Sequence, residues 1–280
     1  MTTARWPGTR LSVSGLMMLV VFPTLCCVDW EAPRRAAANQ HHQRVRPTPA
    51  PTPEIGAPDP LALLKRAVQL YDRNVRSYTC TFHRTERVEG RLTREQIIEV
   101  AYRNDPHSVA MQWVRNAENV RRLAYRKGLN RAPDGDECAL VEPNGTVARL
   151  VASRVPVPIH GPLARRSSRY TLDEFGFRAT LDRVLRVNAM AGELGDLDLK
   201  YAGTSQVDGR PTMVIERRLP YTGENGLYPE ALLVLHLDKQ WLVPVAIYTY
   251  ADTDGEVLLG RYLTTNIRIN PPLGSDAFDL

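Results

Sequence analysis

Residues 229–270, PEALLVLHLDKQWLVPVAIYTYADTDGEVLLGRYLTTNIRIN, decide the fold. They divide into three strands of a meander, 231–237, 241–250 and 257–269, joined by the turns Asp238-Lys239-Gln240 and Asp252-Thr253-Asp254-Gly255. Gly255 supplies the positive φ that a tight turn needs. The middle strand is apolar on both faces, with Trp241, Val243, Val245 and Ile247 on one and Leu242, Ala246, Tyr248 and Tyr250 on the other. A sheet with one face in water alternates apolar with polar residues. This sheet is therefore expected to be covered on both sides, by helices, a second sheet or a bound apolar molecule.

The antiparallel pattern continues upstream. Residues 197–207 and 210–219 flank Asp208-Gly209, and residues 78–88 and 92–103 flank Glu89-Gly90. Strands are also expected at 108–114, 120–126, 137–142 and 146–152, the last two around Pro143-Asn144-Gly145, whose Asn-Gly pair is a strong hairpin signal. Two helices interrupt. Asp59 as N-cap and Pro60 at the first position open one, with Leu61, Leu64, Val68, Tyr71 and Val75 as its apolar stripe. Thr171-Leu172-Asp173-Glu174 has the capping-box pattern and opens the other, which is expected to run to residue 189 with Phe177, Leu181, Val184, Leu185 and Asn188 on its buried side. Residues 153–169, with three prolines and four arginines, are expected to form a loop crossing the sheet. The sum is an α+β fold of about ten strands and two helices joined mostly by hairpins. A long, twisted antiparallel sheet curls, which leaves a concave face for the helices to fill.

At the N-terminus Arg5 and Arg10 precede an apolar run, 11–25, broken by Pro23, so residues 1–28 have the form of a secretory signal. The run is too short for a comfortable membrane span. Cleavage near Cys27, lipidation at Cys26 or Cys27, and retention as an anchor all place the following chain outside the cytoplasm, in the periplasm or at the envelope. Residues 29–58, carrying PTPAPTP at 47–53, are expected to be an extended, disordered linker. Residues 59–280 then form the folded domain. The formal charge of +5 falls to about +3 without Arg5 and Arg10, which is no nucleic-acid signature. Only Tyr125 and Tyr170 stand among the arginines, too few aromatic platforms for a nucleic acid.

Tyr78-Thr79-Cys80, Glu86, Gly90, Arg103, Pro106-His107-Ser108-Val109, Met111 and Trp113 resemble an uncharacterised family of exported bacterial proteins, domain of unknown function 1571. Ser168-Arg169-Tyr170, Leu242-Val243-Pro244-Val245, Tyr262, Asn270 and Phe278-Asp279 are similar to it too, so the resemblance covers roughly residues 60–280. That family in turn resembles the periplasmic lipoprotein carriers of the LolA and LolB type. The resemblance implies an unclosed β-barrel, a curved antiparallel sheet whose concave face is covered by helices and receives acyl chains. Fold alone does not settle function.

Met111, Trp113, Trp241, Val243, Val245 and Tyr248 are the candidate ligand-binding residues, as the apolar set that two short helices would leave uncovered. Cys80 and Cys138 are a candidate disulfide, which export permits. Glu86 and Arg103 are expected to pair across neighbouring strands. Arg121, Arg122, Arg126 and Lys127, within a basic stretch opposed only by Glu118, could meet an anionic membrane surface. No cofactor or metal is expected: His83, His107, His160 and His236 lack ligand spacing, and HExxH, GxSxG, Walker and CxxC patterns are absent. Three functions remain open. The first is a non-enzymatic binder of a lipid, an acyl chain or a lipidated protein in an apolar cavity. The second is an envelope interaction or sensor domain with a packed core. The third is a hydrolase with scattered catalytic residues.

Overall fold

The structure, a computed structural model, describes residues 56–145, 153–274 and 276–280. The expected signal, nearly all of the linker, and the strand at 146–152 lie outside the described residues.

Among the described residues the architecture is α+β: twelve strands form one antiparallel sheet that curves without closing. The strands are β1 (Ser77–Val88), β2 (Arg91–Leu92), β3 (Gln96–Arg103), β4 (Ser108–Arg115), β5 (Val120–Arg126), β6 (Cys138–Pro143), β7 (Val155–Pro158), β8 (Asp198–Val207), β9 (Arg210–Arg218), β10 (Leu232–Asp238), β11 (Pro244–Tyr250) and β12 (Leu258–Ile269). Their order is β7-β6-β5-β4-β3-β1-β12-β11-β10-β9-β8, with β2 paired to the end of β1. The helices are α1 (Pro60–Asn74), the single turn α2 (Pro162–Arg165) and α3 (Phe177–Leu194).

Helix α1 starts as its sequence dictates, with the Asp59 carboxylate accepting from the Leu61 N–H at 3.0 Å. It buries Leu63, Leu64, Ala67 and Tyr71, so its inner face is rotated slightly from the expected stripe, with Leu63 and Ala67 inward in place of Leu61 and Val68. Helix α3 begins later than its capping box. Thr171 caps only a 3-10 turn, Leu172–Glu174, because Phe175 is extended and Gly176 holds φ +116°. A Cβ on Gly176 would lie 2.7 Å from the Tyr102 ring, so glycine is required there. The helix runs past residue 189 to a left-handed C-cap at Gly195, φ +80°.

Two strand expectations also shift. Residues 155–158, expected in the crossing loop, form the edge strand β7. Strand β11 begins at Pro244 rather than Trp241. The Asp238 carboxylate accepts from the N–H of Gln240 at 3.0 Å and of Trp241 at 2.7 Å, and Leu242 is left-handed at φ +53°. That turn breaks the alternation on which the faces of Trp241 and Val243 were assigned.

Helices α1 and α3 cover one half of the concave face, where Leu64, Leu181 and Val184 pack with Ile215, Leu233, Leu235 and Leu237. The chain at 159–176 passes over the other half, formed by β1 and β3–β7. Tyr78 joins the halves, stacking on Tyr102 at 4.6 Å and on Phe177 at 4.3 Å. The meander is not covered equally on both sides as expected. Across its convex face Val234, Tyr248 and Leu263 remain half-buried, while Leu235 and Val245 on the concave face are fully buried.

Candidate functional site

Alternation along β1 builds the site. Tyr78, Cys80, Phe82, Arg84 and Glu86 share the concave face, apolar at first and then charged. Across the sheet, Cys80 aligns with Val100, Met111, Leu123 and Val141 in successive strands. The crossing segment does not seal this wall. A cavity of about 210 Å³ remains, floored by Phe82, Ile98, Met111, Trp113, Leu123 and Val141 and roofed by Leu163, Tyr170, Leu172 and Phe175.

The roof is tied down by two histidines. His107 lies 3.0 Å through Nε2 from the Leu172 carbonyl and 3.3 Å through Nδ1 from the Tyr102 hydroxyl. A neutral ring with its proton on Nε2 satisfies both contacts, and burial, the largest influence, lowers the His107 pKa accordingly. His160 spans Asp136 at 2.7 Å and Asp173 at 3.3 Å. The hydrogen bond to Asp136 is the main cause that raises its pKa.

One end of the cavity is polar. Glu86, 1% exposed, accepts from the Tyr262 hydroxyl at 2.8 Å and the Ser168 hydroxyl at 3.3 Å, and its second oxygen lies 3.5 Å from Arg84. Burial raises the Tyr262 pKa well above its ordinary value, so the hydroxyl keeps its proton and donates. Arg84 donates to Gln96 Oε1 through Nη2 at 2.6 Å, and the Trp113 indole donates to the same oxygen at 3.0 Å. Gly260 faces Glu86 across β12, and a Cβ there would lie 2.7 Å from the Tyr262 ring. Thr180 and Arg183 enter from α3. Behind this end, Arg217 is buried against Glu230 and donates to Asn188 Oδ1 at 2.9 Å. Burial lowers the Arg217 pKa, and Glu230 opposes the shift.

Of the six candidate ligand-binding residues, Met111, Trp113 and Val245 line the cavity, and Trp241, Val243 and Tyr248 do not. Tyr248 sits in register with Val234 and against His236 on the opposite face from Val245. Cys80 and Cys138 form no disulfide. Both thiols are free and buried, on strands separated by β3, β4 and β5. Glu86 does not pair with Arg103, whose guanidinium instead lies 4.7 Å from the Phe278 ring. In the basic stretch Arg121 and Arg122 share Glu142 at 2.6 and 3.8 Å, and Arg126 meets Asp279 at 3.2 Å. The polar end was missed, although its parity signal was present: Arg84 and Glu86 continue the inward series of Tyr78, Cys80 and Phe82.

The chain is similar in fold to several solved structures. MucB in the MucA/MucB complex of Pseudomonas aeruginosa is 16% identical, with a TM-score of 0.45 over 80% of this chain and 61% of that one. The Mycobacterium tuberculosis lipoprotein LppX is 13% identical, with a TM-score of 0.40 over 77% of this chain and 97% of that one. A putative outer membrane lipoprotein-sorting protein domain from Vibrio parahaemolyticus is 10% identical, with a TM-score of 0.36 over 78% of this chain and 95% of that one. This chain thus spans less than two thirds of MucB. No curated protein matches it. Residues 75–280 match the model of the family described as protein of unknown function (DUF1571), and the chain belongs to that family.

Proposed function

We propose that this is an exported binding protein that holds a hydrophobic moiety between its curved sheet and the segment 159–176, without covalent chemistry. The observation that carries this reading is the apolar cavity itself, about 210 Å³ left beneath a roof tied by His107 to Leu172 and by His160 to Asp136. Core packing leaves few voids larger than a water molecule, and a void of this size lined by Phe82, Ile98, Met111 and Leu123 is a place for an apolar guest. Its size is below the roughly 300–1,000 Å³ usual for drug-sized ligands. One acyl chain fits that scale, whereas a two- or three-chain anchor requires the roof to move.

Uptake of a lipid-like fluorophore tests the reading. Trp113→Glu and Val245→Glu place a charge on the cavity wall and are expected to abolish uptake while far-UV circular dichroism stays unchanged. Undiminished uptake by folded variants would remove the cavity as the site. Native mass spectrometry of the protein purified without detergent is expected to show adducts that extract as lipid. A single clean apo mass would favour a domain that binds a protein partner.

A further inference from the structure

Resting on that reading, we infer that the guest is a single-chain amphiphile with an anionic head, seated with its head on Arg183 and its chain along β3–β6. Three observations lead there. The first is the polarity of the cavity. Arg84 and Glu86 take late inward positions of β1 and Gln96 the first of β3, so these polar groups gather at one end. Met111, Leu123 and Val141 carry the apolar wall away from them. A guest that satisfies both ends has a head and a tail.

The second observation is the state of Arg183. It lines the cavity with its guanidinium 3.8 Å from the centre of the Tyr170 ring, and it has no carboxylate partner among the described residues. The neighbouring arginines differ. Arg84 has Glu86, Arg217 has Glu230, and Arg169 reaches Glu224 at 3.9 Å. Arg183 is the cavity-lining cation left over, held on an aromatic face that fixes its position without neutralising its charge.

The third observation is a shortage of acceptors beside this end. Arg169 Nη1, Asn188 Nδ2 and Arg217 Nε are buried donors with no hydrogen-bond partner among the described residues. None of the three side chains lines the cavity; they stand behind its polar end. Arg169 follows Ser168 in the chain, and Arg217 donates to the carbonyl of Val184, the residue after Arg183, at 3.3 Å and to Asn188 at 2.9 Å. An unneutralised guanidinium on the cavity wall, with a surplus of buried donors behind it, favours an anion. A carboxylate or a phosphate monoester meets the demand through fork-like hydrogen bonds from the guanidinium. The sources of those two heads, a free fatty acid and a lysophosphatidic acid, are distinguished by the test.

The experiment uses the full chain, delipidated, with tryptophan fluorescence, to which Trp113 on the cavity wall contributes, and calorimetry as readouts. The probes are dodecanoate, dodecyl phosphate and dodecanol, each below its micelle concentration. The expected result is that one or both anionic probes bind at least tenfold more tightly than dodecanol. Which anion binds better assigns the source. Arg183→Met is expected to erase that preference while keeping dodecanol affinity, and Arg183→Lys to retain part of it. Arg186→Met, at an exposed position on the same helix, is expected to leave binding unchanged. Equal affinity for all three probes, with Arg183→Met like wild type, would overturn the head-group inference and leave the cavity reading standing. Absence of binding by every probe, dodecanol included, would overturn both. Should Arg183→Met fail to fold, the wild-type ratio of dodecanoate to dodecanol still decides.

Discussion

At the scale of the residue, the buried pair Arg217–Glu230 is the most exacting feature of the protein. Both side chains are nearly inaccessible, and Arg217 also donates to Asn188 from β9 across to α3. Removing one partner strands the other charge, a defect that costs about 3–5 kcal/mol. Glu230→Gln is therefore expected to lower the urea midpoint sharply, and Arg217→Met with Glu230→Gln together to recover much of the loss. A single variant with the wild-type midpoint would show the pair to be dispensable. This pair was invisible in the sequence, because it joins β9 to the loop before β10 and depends on both facing α3. Met111, Trp113 and Val245 were legible as inward residues because strand parity holds at their positions. Trp241 and Val243 were not, because left-handed Leu242 resets the parity, and Tyr248 lies on the face opposite Val245, as the alternation of the strand itself gives.

At the scale of the element, the segment 159–176 is the decisive one. Its sequence marked it as a crossing loop, but not as a roof held at one side by His160 between Asp136 and Asp173. That latch titrates. The folded His160 pKa is raised, so its contribution is complete below the unfolded value of about 6.5 and is lost as pH rises through the folded value. The pKa values of Asp136 and Asp173 are lowered, so their contribution is present above about 3.9 and is lost as pH falls through the folded values. The stability difference between wild type and His160→Gln is expected to be largest between about pH 4 and 6.5 and to shrink on either side. Denaturant titrations across pH check this, and a difference that grows steadily above pH 7 would contradict the latch. Helix α3 carries a related lesson. A capping box followed by an extended Phe175 makes one 3-10 turn, and the helix waits for Gly176.

At the scale of the whole molecule, the unclosed sheet has two edges among the described residues, β7 and β8. An open edge invites pairing with another chain. In β7 the Ile159 N–H that follows the strand points inward to the Glu137 carbonyl at 2.9 Å. Alternation then turns the backbone of Pro156 and Pro158 outward, where proline has no N–H to offer. Pro156→Thr with Pro158→Thr is expected to leave the fold intact and to produce concentration-dependent association by analytical ultracentrifugation. A strictly monomeric double variant would show that the edge is protected by other means. The curved antiparallel sheet was legible in the sequence from hairpin turns and two-faced strands. The pairing of β1 with β12 was not, since no local pattern specifies a partner so distant in the chain.

That pairing governs the order in which the protein can form. Strand β1 lies at the centre of the sheet with β3 on one side and β12, the last of the described strands in chain order, on the other. Until residues 258–269 emerge, β1–β7 and β8–β11 are two separate half-sheets, each with an unpaired inner edge as well as an outer one. Contacts at such sequence separation make folding slow. The nascent chain is thus at its most vulnerable just before β12 emerges, and a truncation before Ile269 weakens the middle of the sheet rather than its edge.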